Sequence, residues 1–372
     1  MKIYCELEKI KKAIASLSRV TAKKEQNEIL SCLFFVIEKN NMVIRATNLS
    51  IGAEYSIFIE TKETEEVKES FSINAQNIQN IFSSITIDKN LKNIEIEVLE
   101  NTVCFSYKKN KLNIKKQTTF DVPTLPKIKE ESFLIDKQTL KEGIQTVLST
   151  ASKIDIKPEL ASVFINQQEG KLIFASTDTF RLTEYSIATK KEYSFPHILI
   201  PIKNASEICK ILDDSENDNV EVCPTKNQIS FITKDVFITS QLINGLFPDY
   251  TKIIPTIKHS TVSFLKTDLL EVLKILNPFI DARNQIQFKI DSEKQEIQLH
   301  CSNDMLGEYS GQVAVKITGD SFSLLINKNF LEDILQKMPE TVDMVINQPQ
   351  KPILIQSKEN KEILCLLMPM SQ

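Results

Sequence analysis

The chain has few of the residues that build common catalytic and cofactor sites. Its 372 residues include only three histidines and seven glycines. Without a glycine-rich loop, neither a Walker phosphate-binding loop nor a Rossmann dinucleotide fingerprint can be written. The sequence also contains no HExxH zinc motif and no GxSxG nucleophile elbow. We therefore expect no catalytic residue, no metal site and no cofactor.

Paired cysteines and long apolar runs are missing as well. The seven cysteines form no CxxC pair, and most lie inside apolar runs such as SCLFF and ILCLL. A free thiol in such a run behaves as a small apolar side chain. No run reaches the 18 uninterrupted apolar residues expected of a membrane-spanning helix. The first residues, MKIYCELEKIKK, are a poor signal peptide because charges interrupt their apolar run. We expect buried thiols, a cytoplasmic location and no membrane association.

The bulk composition is that of a folded protein with more than one domain. Hydrophobic residues make up 42% of the chain and charged residues 25%, which is an ordinary globular balance. A chain of 372 residues is too long for one ordinary core and indicates two or three domains. The net charge of −4 argues against a protein that grips nucleic acid over its whole surface.

The tripeptide Glu-Tyr-Ser recurs at nearly even intervals. Three of its four copies begin at Glu54, Glu184 and Glu308, which are 130 and then 124 positions apart, and the fourth begins at Glu192, eight residues after the second. The residues before each of the three evenly spaced copies, ATNLSIG, STDTFRL and CSNDML, are also similar. A tripeptide alone is weak support for a repeat, so the test is whether other features recur at the same interval.

Predicted helices recur at that interval. Six segments with apolar residues at helical spacing begin near residues 6, 74, 136, 204, 267 and 327. Every second start is separated by about the interval of the tripeptide. Five of the starts carry a side chain suited to an N-cap, namely Asn74, Asp136, Asn204, Thr267 and Asn327. The three tripeptides therefore mark three copies of one structural unit.

Short β-branched and aromatic runs between the helices predict strands, and several alternate polar with apolar residues. We predict an α+β fold of three structurally similar domains, each with two helices packed on antiparallel sheets. Proline-bearing stretches near residues 122–130 and 248–258 are the predicted linkers. The predicted domains are residues 1–126, 127–254 and 255–372.

Lysines outnumber acidic residues in the predicted helices although the whole chain is acidic. A mildly basic helical layer suits loose, sequence-independent contact with phosphates on one surface. If such repeats closed into a ring, six helices would leave almost no hole. Twelve helices from two chains would leave an opening of about 24 Å, enough for a DNA duplex.

Three motifs together resemble the bacterial DNA polymerase III beta subunit family, the beta sliding clamps. They are STDTFRL at 176–182, NGLFPDYTKIIP at 244–255 and the terminal LLMPMSQ, in the family's order. The likeness covers the whole chain and implies the DNA clamp fold as a head-to-tail dimeric ring. It further implies that the homodimer encircles double-stranded DNA without sequence preference. Such a clamp tethers the replicative DNA polymerase, serves the clamp loader and other replication and repair proteins, and is not an enzyme.

The resemblance also implies a site between the second and third domains for a short partner peptide with a glutamine and hydrophobic anchors. The family often has Gly-His where this chain has Thr179 and Phe180, and Arg-Leu where this chain ends in Ser371 and Gln372. These departures leave the preferred peptide sequence open. Carried over by motif, the site residues are Leu160, Thr177, Thr179, Arg181, Leu182, Pro248, Lys252, Ile253, Asn327, Phe330, Leu366, Met368, Pro369 and Met370.

Two further surfaces follow from the same resemblance. We expect Lys24, with Lys12 and Lys141, to face DNA. The ring seam is expected to join the first domain of one subunit to the third domain of the other. Its predicted residues are Leu112, Ile114, Ile275 and Leu276.

Two other classes of protein remain open from composition and periodicity. One is a triplicated scaffold that binds protein partners without encircling DNA, and only the motifs separate it from a clamp. The other is an enzyme built on a repeated α+β unit, for which the sequence offers no catalytic constellation.

Overall fold

The structure is a computed structural model, and it describes residues 1–22, 28–61, 68–87, 92–117, 123–127, 132–154, 156–189 and 195–371. The chain divides into two compact units. The first unit comprises Met1–Glu142 with Lys203–Leu242, and the second comprises Gly143–Ile202 with Ile243–Gln372.

Six α-helices form in the described residues, at the six predicted places. They are α1 (Leu7–Ser18), α2 (Ala75–Ser83), α3 (Lys137–Leu148), α4 (Ile202–Asp214), α5 (Lys266–Ile275) and α6 (Lys328–Lys337). In α1 the apolar stripe that predicted the helix is the buried face, which includes Leu7, Ile10, Ile14 and Leu17. The predicted number and positions of the helices are confirmed.

Three of the five predicted N-caps form. The side chains of Asn74 and Asn327 accept the backbone N–H three residues on at 3.1 and 3.2 Å. The Asp136 carboxylate accepts the backbone N–H of Thr139 at 2.8 Å, and this bond holds the pKa of Asp136 below its usual value. Each cap satisfies a donor that a helix leaves unpaired at its first turn.

The other two predicted caps are wrong. Helix α4 begins at Ile202, so Asn204 lies inside it, buried, where its amide donates to Ser240 Oγ at 2.9 Å. Helix α5 begins at Lys266, and the backbone N–H of Thr267 is satisfied by Glu340 Oε1 at 3.2 Å. Glu340 supplies the acceptor for the Thr267 N–H, and Ser240 accepts from the Asn204 side chain. Both partners are distant in the chain, so the local sequence does not reveal these contacts.

Strands connect the helices. They are β1 (Lys2–Glu6), β2 (Cys32–Glu38), β3 (Asn41–Thr47), β4 (Ile51–Phe58), β5 (Glu60–Thr61), β6 (Lys68–Asn74), β7 (Asn93–Val98), β8 (Thr102–Tyr107), β9 (Asn110–Lys115), β10 (Phe133–Asp136), β11 (Ser162–Gln168), β12 (Lys171–Thr177), β13 (Arg181–Ala188), β14 (Ile198–Pro201), β15 (Asn219–Pro224), β16 (Gln228–Ile232), β17 (Val236–Gln241), β18 (Ser260–Leu265), β19 (Gln285–Asp291), β20 (Glu296–Asn303), β21 (Gly307–Ala314), β22 (Lys316–Thr318), β23 (Phe322–Asn327), β24 (Thr341–Ile346), β25 (Ile353–Gln356) and β26 (Ile363–Leu367).

In the described residues each unit contains two antiparallel sheets. In the first unit the strand orders are β5-β1-β7-β8-β9 and β10-β15-β16-β17-β4-β3-β2-β6. In the second unit they are β14-β11-β12-β13-β26-β25-β24-β18-β22 and β21-β20-β19-β23. The predicted antiparallel sheets are thus present in both units.

Two strand pairings join segments that the sequence assigned to different domains. Strand β17 pairs with β4 and places Val236 opposite Tyr55. Strand β26 pairs with β13 and places Ile363 opposite Tyr185. The tyrosines are those of the repeated tripeptide, so the first two copies lie on the strands that make these pairings. The third copy lies on β21, at the end of its sheet.

The glutamates of the tripeptide have diverged in role. Glu54 is buried and its Oε1 lies 2.6 Å from Arg45, while its Oε2 lies 2.7 Å from Lys127. Glu184 accepts the hydroxyl of Tyr250 at 2.5 Å. Glu308 is exposed. Each of these three tripeptides therefore lies on the corresponding strand of its repeat. The contacts of its glutamate depend on the segment packed against that strand.

All seven cysteines are free and buried, which confirms the predicted buried thiols. Burial raises the pKa of Cys5 and of Cys209 to about 12, so both thiols stay protonated at neutral pH. None of the described helices combines the length and apolar character needed to cross a bilayer. The described part of the chain contains no cluster of three or more His, Cys, Asp or Glu residues that could hold a metal.

The cap of α2 can be tested by removing its acceptor. We expect Asn74→Ala to lower the free energy of unfolding by about 1 kcal/mol, because the Asn77 backbone N–H loses its partner. Urea denaturation measures this change. Asn77→Ala is the matched control, since it keeps that backbone donor and should cost little. Equal losses in the two variants would contradict a capping role.

Candidate peptide-binding site

The predicted site is organised by a tight turn between β12 and β13. Thr177 Oγ1 accepts the backbone N–H of Thr179 at 3.1 Å and donates to the carbonyl of Arg181 at 2.7 Å. Asp178 Oδ1 accepts the backbone N–H groups of Phe180 and Arg181 at 3.0 and 2.9 Å. Short polar side chains that bond the backbone in this way fix the turn locally. Thr179 has φ +77°, the left-handed conformation found where the family often has glycine.

The same turn occurs between β3 and β4 of the first unit. Thr47 Oγ1 accepts from Leu49 N and donates to Ile51 O, both at 3.0 Å. Asn48 Oδ1 accepts from Ser50 and Ile51, also at 3.0 Å. Leu49 has φ +74°. The first two copies of the repeat therefore share the four hydrogen bonds of this turn.

Arg181 is the most connected side chain of the site and is almost fully buried. Its Nε donates to Asp178 Oδ2 at 3.0 Å, its Nη1 to Asp333 Oδ2 at 2.7 Å and its Nη2 to the Ser149 carbonyl at 3.0 Å. Its guanidinium also lies 4.4 Å from the ring centre of Phe330. Such planar, multiply bonded contacts hold an arginine rigidly. Asp333 was not anticipated, although it lies three residues after Phe330 on α6.

Strand pairing brings the C-terminal residues to the turn. Leu366 lies opposite Leu182, and beyond the strand the Met368 backbone N–H donates to the Phe180 carbonyl at 2.8 Å. The Met370 backbone N–H then donates to Leu325 at 2.8 Å. Both methionine side chains are half-buried. The wall is thus built from a fixed backbone with flexible, adaptable side chains on it.

An apolar cluster lies behind this wall. Leu182, Leu366 and Tyr250 are buried together, with Ala175, Val345 and Leu354 completing the cluster. Burial and the charge of Glu184 raise the pKa of Tyr250, so its hydroxyl remains a donor. Because Tyr250 belongs to the FPDY motif, this ring attaches that segment to the site.

The remaining predicted residues lie on or before α6, before β11, beside Tyr250 and between the two methionines. Asn327 caps α6 and so positions Phe330, whose ring centre lies 6.3 Å from that of Phe180. Leu160 is buried, and its carbonyl accepts from Ser152. Pro248, Lys252 and Ile253 flank Tyr250 and are exposed, and Pro369 lies half-buried between the two methionines. Lys252 forms an ion pair with Asp249 at 2.8 Å.

A half-buried lysine that sequence reasoning missed lies close to this network. Lys337 Nζ donates to Thr150 Oγ1 at 2.6 Å and to Thr183 Oγ1 at 3.1 Å. Thr183 Oγ1 is also 3.5 Å from the buried Cys365 thiol. Burial lowers the pKa of Lys337 because the charged ammonium loses its hydration. Its position at the end of α6 resembled that of an ordinary solvated helix lysine in the sequence.

Two predictions for the other surfaces need correction. Lys141 does not present a free charge to DNA, because its side chain is mostly buried and forms an ion pair with Asp213. Leu276 is fully buried within its own unit, so its side chain is withdrawn from any seam. In both cases the helical phase, which sequence does not supply, decides the outcome.

The other residues predicted to face DNA or to form the ring seam remain predictions. Lys12 is 44% exposed and pairs with Glu8 at 3.2 Å. Lys24 lies outside the described residues. Leu112 and Ile114 are half-buried on β9, the end strand of its sheet. Ile275, at the end of α5, is 48% exposed.

Comparison with known proteins covers nearly the whole chain. Three domain models of the DNA polymerase III beta subunit match it: the N-terminal domain at residues 1–127, the central domain at 134–249 and the C-terminal domain at 251–371. The beta sliding clamp of Treponema pallidum is 23% identical over 100% of this chain and 99% of its own length. That of Bacillus subtilis is 22% identical and covers 99% of both chains.

Solved structures show the same fold. The DNA polymerase III beta subunit of Thermotoga maritima has a TM-score of 0.92 and 21% identity, covering 100% of this chain and 99% of its own. That of Pseudomonas aeruginosa has a TM-score of 0.90 and 19% identity, covering 100% of both chains. The fold is therefore the three-domain clamp fold. With the three domain models in sequence order, the chain belongs to the DNA polymerase III beta subunit family, the bacterial sliding clamps.

The titration of Lys337 should make the free energy of unfolding vary with pH in the alkaline range. Its pKa lies below the ordinary 10.5, so the unfolded chain binds this proton more tightly than the folded chain. Lys337 therefore makes the unfolding free energy rise as pH approaches 10.5 and the folded state loses the proton. Lys337→Met removes this titration. The unfolding free energy of the variant should exceed that of wild type by most at neutral pH. This difference should shrink towards alkaline pH.

Urea denaturation at several pH values measures this difference. The Thr150 and Thr183 hydroxyls lie 2.7 Å apart, so we expect them to keep bonding each other in the variant. Lys328→Met is the control: that buried lysine pairs with Glu332 at 2.5 Å, so its loss should lower stability at neutral pH. A constant gap between Lys337→Met and wild type across the pH range would show that Lys337 does not titrate as described.

Proposed function

We propose that two copies of this chain close head to tail into a ring around double-stranded DNA. The ring would hold the replicative DNA polymerase and other replication and repair proteins on the template and so confer processivity. It acts by encircling DNA and by binding partners rather than by catalysis, and it needs no cofactor. As a component of DNA replication in a bacterium, it would work in the cytoplasm.

Two end strands carry this proposal. Strand β9 ends one sheet of the first unit and β21 ends one sheet of the second. In the repeat, β9 corresponds to β17 and β26, while β21 corresponds to β4 and β13. Within the chain, β17 pairs with β4 and β26 pairs with β13. The same pairing between β9 of one copy and β21 of another would satisfy both edges, which otherwise invite uncontrolled association.

The repeat also predicts the register of that seam. Val236 and Ile363, the first residues of β17 and β26, lie opposite the tripeptide tyrosines. By the same rule Asn110, the first residue of β9, would lie opposite Tyr309 of the partner subunit. Leu112, Ile114 and the exposed Ile275 would supply apolar contacts. An interface between two different surfaces generates a ring when its rotation closes.

The ring so formed would contain six similar domains. The proposed boundaries, residues 1–126, 127–254 and 255–372, place the two observed cross-domain pairings between consecutive domains. Lys12 and Lys24 are the proposed DNA contacts. A few lysines on an acidic protein favour weak phosphate contact that permits sliding.

The turn at Thr177–Arg181, the C-terminal methionines and Phe330 form the proposed partner site. A partner would insert a short peptide with a glutamine and hydrophobic anchors against them. The exposed Phe180 beside Phe330 adds aromatic surface. Adaptable methionine surface suits several partners.

The peptide site can be tested with a double variant. Met368→Ala combined with Met370→Ala should weaken binding of such a peptide at least tenfold, because each truncation removes roughly 1–2 kcal/mol of apolar contact. Fluorescence anisotropy of a labelled peptide measures this. Met305→Ala is the matched control, since Met305 is 94% exposed on another loop. Unchanged affinity in the double variant would refute this placement.

Encirclement can be tested by retention on DNA. The protein is loaded onto nicked circular DNA by its clamp loader, washed in high salt, and the circle is then cut once. A ring should survive the wash and leave on cutting, because phosphate contacts weaken steeply with salt while topology does not.

A seam variant and a control make the experiment specific. Leu112→Glu combined with Ile275→Glu should give monomers that are not retained. Ile156→Glu, at an isoleucine that is 84% exposed elsewhere, should behave as wild type. Loss in the salt wash alone would indicate charge-based binding. No retention with a loader active on another clamp would favour a protein-binding scaffold that does not encircle DNA.

A further inference from the structure

A cavity of about 630 Å³ in the second unit is distinct from the candidate peptide site, with which it shares Pro248. Strand β11 contributes the alternate residues Phe164, Asn166 and Gln168, which lie on one face of the sheet. The wall also includes residues 246–251 and Ile254. A volume of this size is typical of small-molecule sites.

Aromatic side chains form one part of the wall. The rings of Phe164 and Phe247 stack with centres 4.7 Å apart and planes 15° apart. The His197 ring lies 6.2 Å from Phe164, and Tyr250 meets Phe247 edge-on at 6.1 Å. The faces of aromatic rings attract cations, and planar guanidinium groups in particular.

Carboxylates outnumber cations around the same cavity. Its lining contains Glu169, Glu184 and Asp249 against a single lysine, Lys171. Asp249 is already paired with a lysine outside the lining. Glu184 is held differently: its Oε2 accepts the Tyr250 hydroxyl at 2.5 Å. Burial raises the pKa of Tyr250, so that phenol stays protonated and its hydrogen bond fixes the position of the Glu184 side chain.

We infer that this cavity binds an organic cation of the arginine type. The guanidinium would lie on the aromatic surface of Phe164 and Phe247 and pair with Glu184. Its aliphatic stem would contact Ile173 and Pro248. An ammonium group carries the same positive charge and is also attracted to aromatic faces, so the occupant could be an arginine side chain of a bound protein or a free polyamine.

The cavity is joined to the candidate peptide site through Pro248 and Tyr250. Tyr250 lines the cavity, and its ring belongs to the apolar cluster with Leu182 and Leu366. An occupant would therefore contact the segment that supports the peptide site. The inference depends on residues of one unit and stands whether or not the chain forms a ring.

The test compares two probes of equal shape with the full-length chain. N-acetyl-arginine amide should bind saturably at one site per chain by calorimetry. N-acetyl-citrulline amide, which replaces the guanidinium by a neutral urea, should bind at least tenfold more weakly, since charge-assisted contact is lost. Equal binding of the two probes, or no saturable binding of either, would overturn the inference.

Variants identify the cavity as the place of binding. Glu184→Gln keeps an acceptor for Tyr250 but removes the charge, and it should weaken N-acetyl-arginine amide at least tenfold. Phe247→Ala should also weaken it. Glu359→Gln, at an exposed acid outside the cavity, should leave affinity unchanged. Binding that survives Glu184→Gln would place the site elsewhere and refute the proposal.

A variant with the opposite expected sign excludes misfolding as the explanation. Lys171→Gln removes the competing positive charge and should strengthen binding severalfold, an effect that loss of structure cannot produce. Unchanged or weaker binding in Lys171→Gln would contradict the electrostatic argument. Spermidine distinguishes the two sources. Tighter binding of spermidine than of N-acetyl-arginine amide supports a free polyamine as occupant, and the reverse supports an arginine side chain.

Discussion

The antiparallel pairing of β13 with β26 is the constraint on which the second unit depends. It satisfies the backbone donors and acceptors of two strands that would otherwise end their sheets. Its register sets Arg181 opposite Leu367 and Leu182 opposite Leu366. A slip by one residue would turn every side chain of β26 to the other face. The methionine wall, the apolar cluster and the turn would then lose their mutual position.

The first unit uses the same backbone for a different purpose. The turn at Thr47–Ile51 repeats the hydrogen bonds of the turn at Thr177–Arg181. At the position of Arg181 the first unit has Ile51, which is buried. The candidate site therefore arises from side-chain differences on a repeated frame. Binding chemistry diverged while strand pairing, which holds the repeat together, did not.

Two basic side chains in and beside the candidate site, Arg181 and Lys337, differ in how their charges are compensated. Arg181 is compensated by Asp178 and Asp333, whereas Lys337 is held by neutral hydroxyls. A buried charge without full compensation costs stability. The Lys337 ammonium and the Arg181 guanidinium also disfavour each other, as the lowered pKa of Lys337 reflects. The hydrogen bonds of Arg181 to Asp178, Asp333 and the Ser149 carbonyl hold its guanidinium beside Phe330.

The sequence by itself determined the elements and their repetition. Apolar spacing predicted six helices, the Glu-Tyr-Ser interval predicted the recurring strand, and three motifs pointed to the family. These features depend on neighbours in the chain, whose periodicity is written in the sequence. Tertiary structure alone decided which side chains meet. It placed Asn204 inside a helix, buried Leu276, paired Lys141 with Asp213 and brought Asp333 to Arg181. Helical phase and contacts between distant segments settle such matters, because a side chain's charge and burial depend on what packs against it.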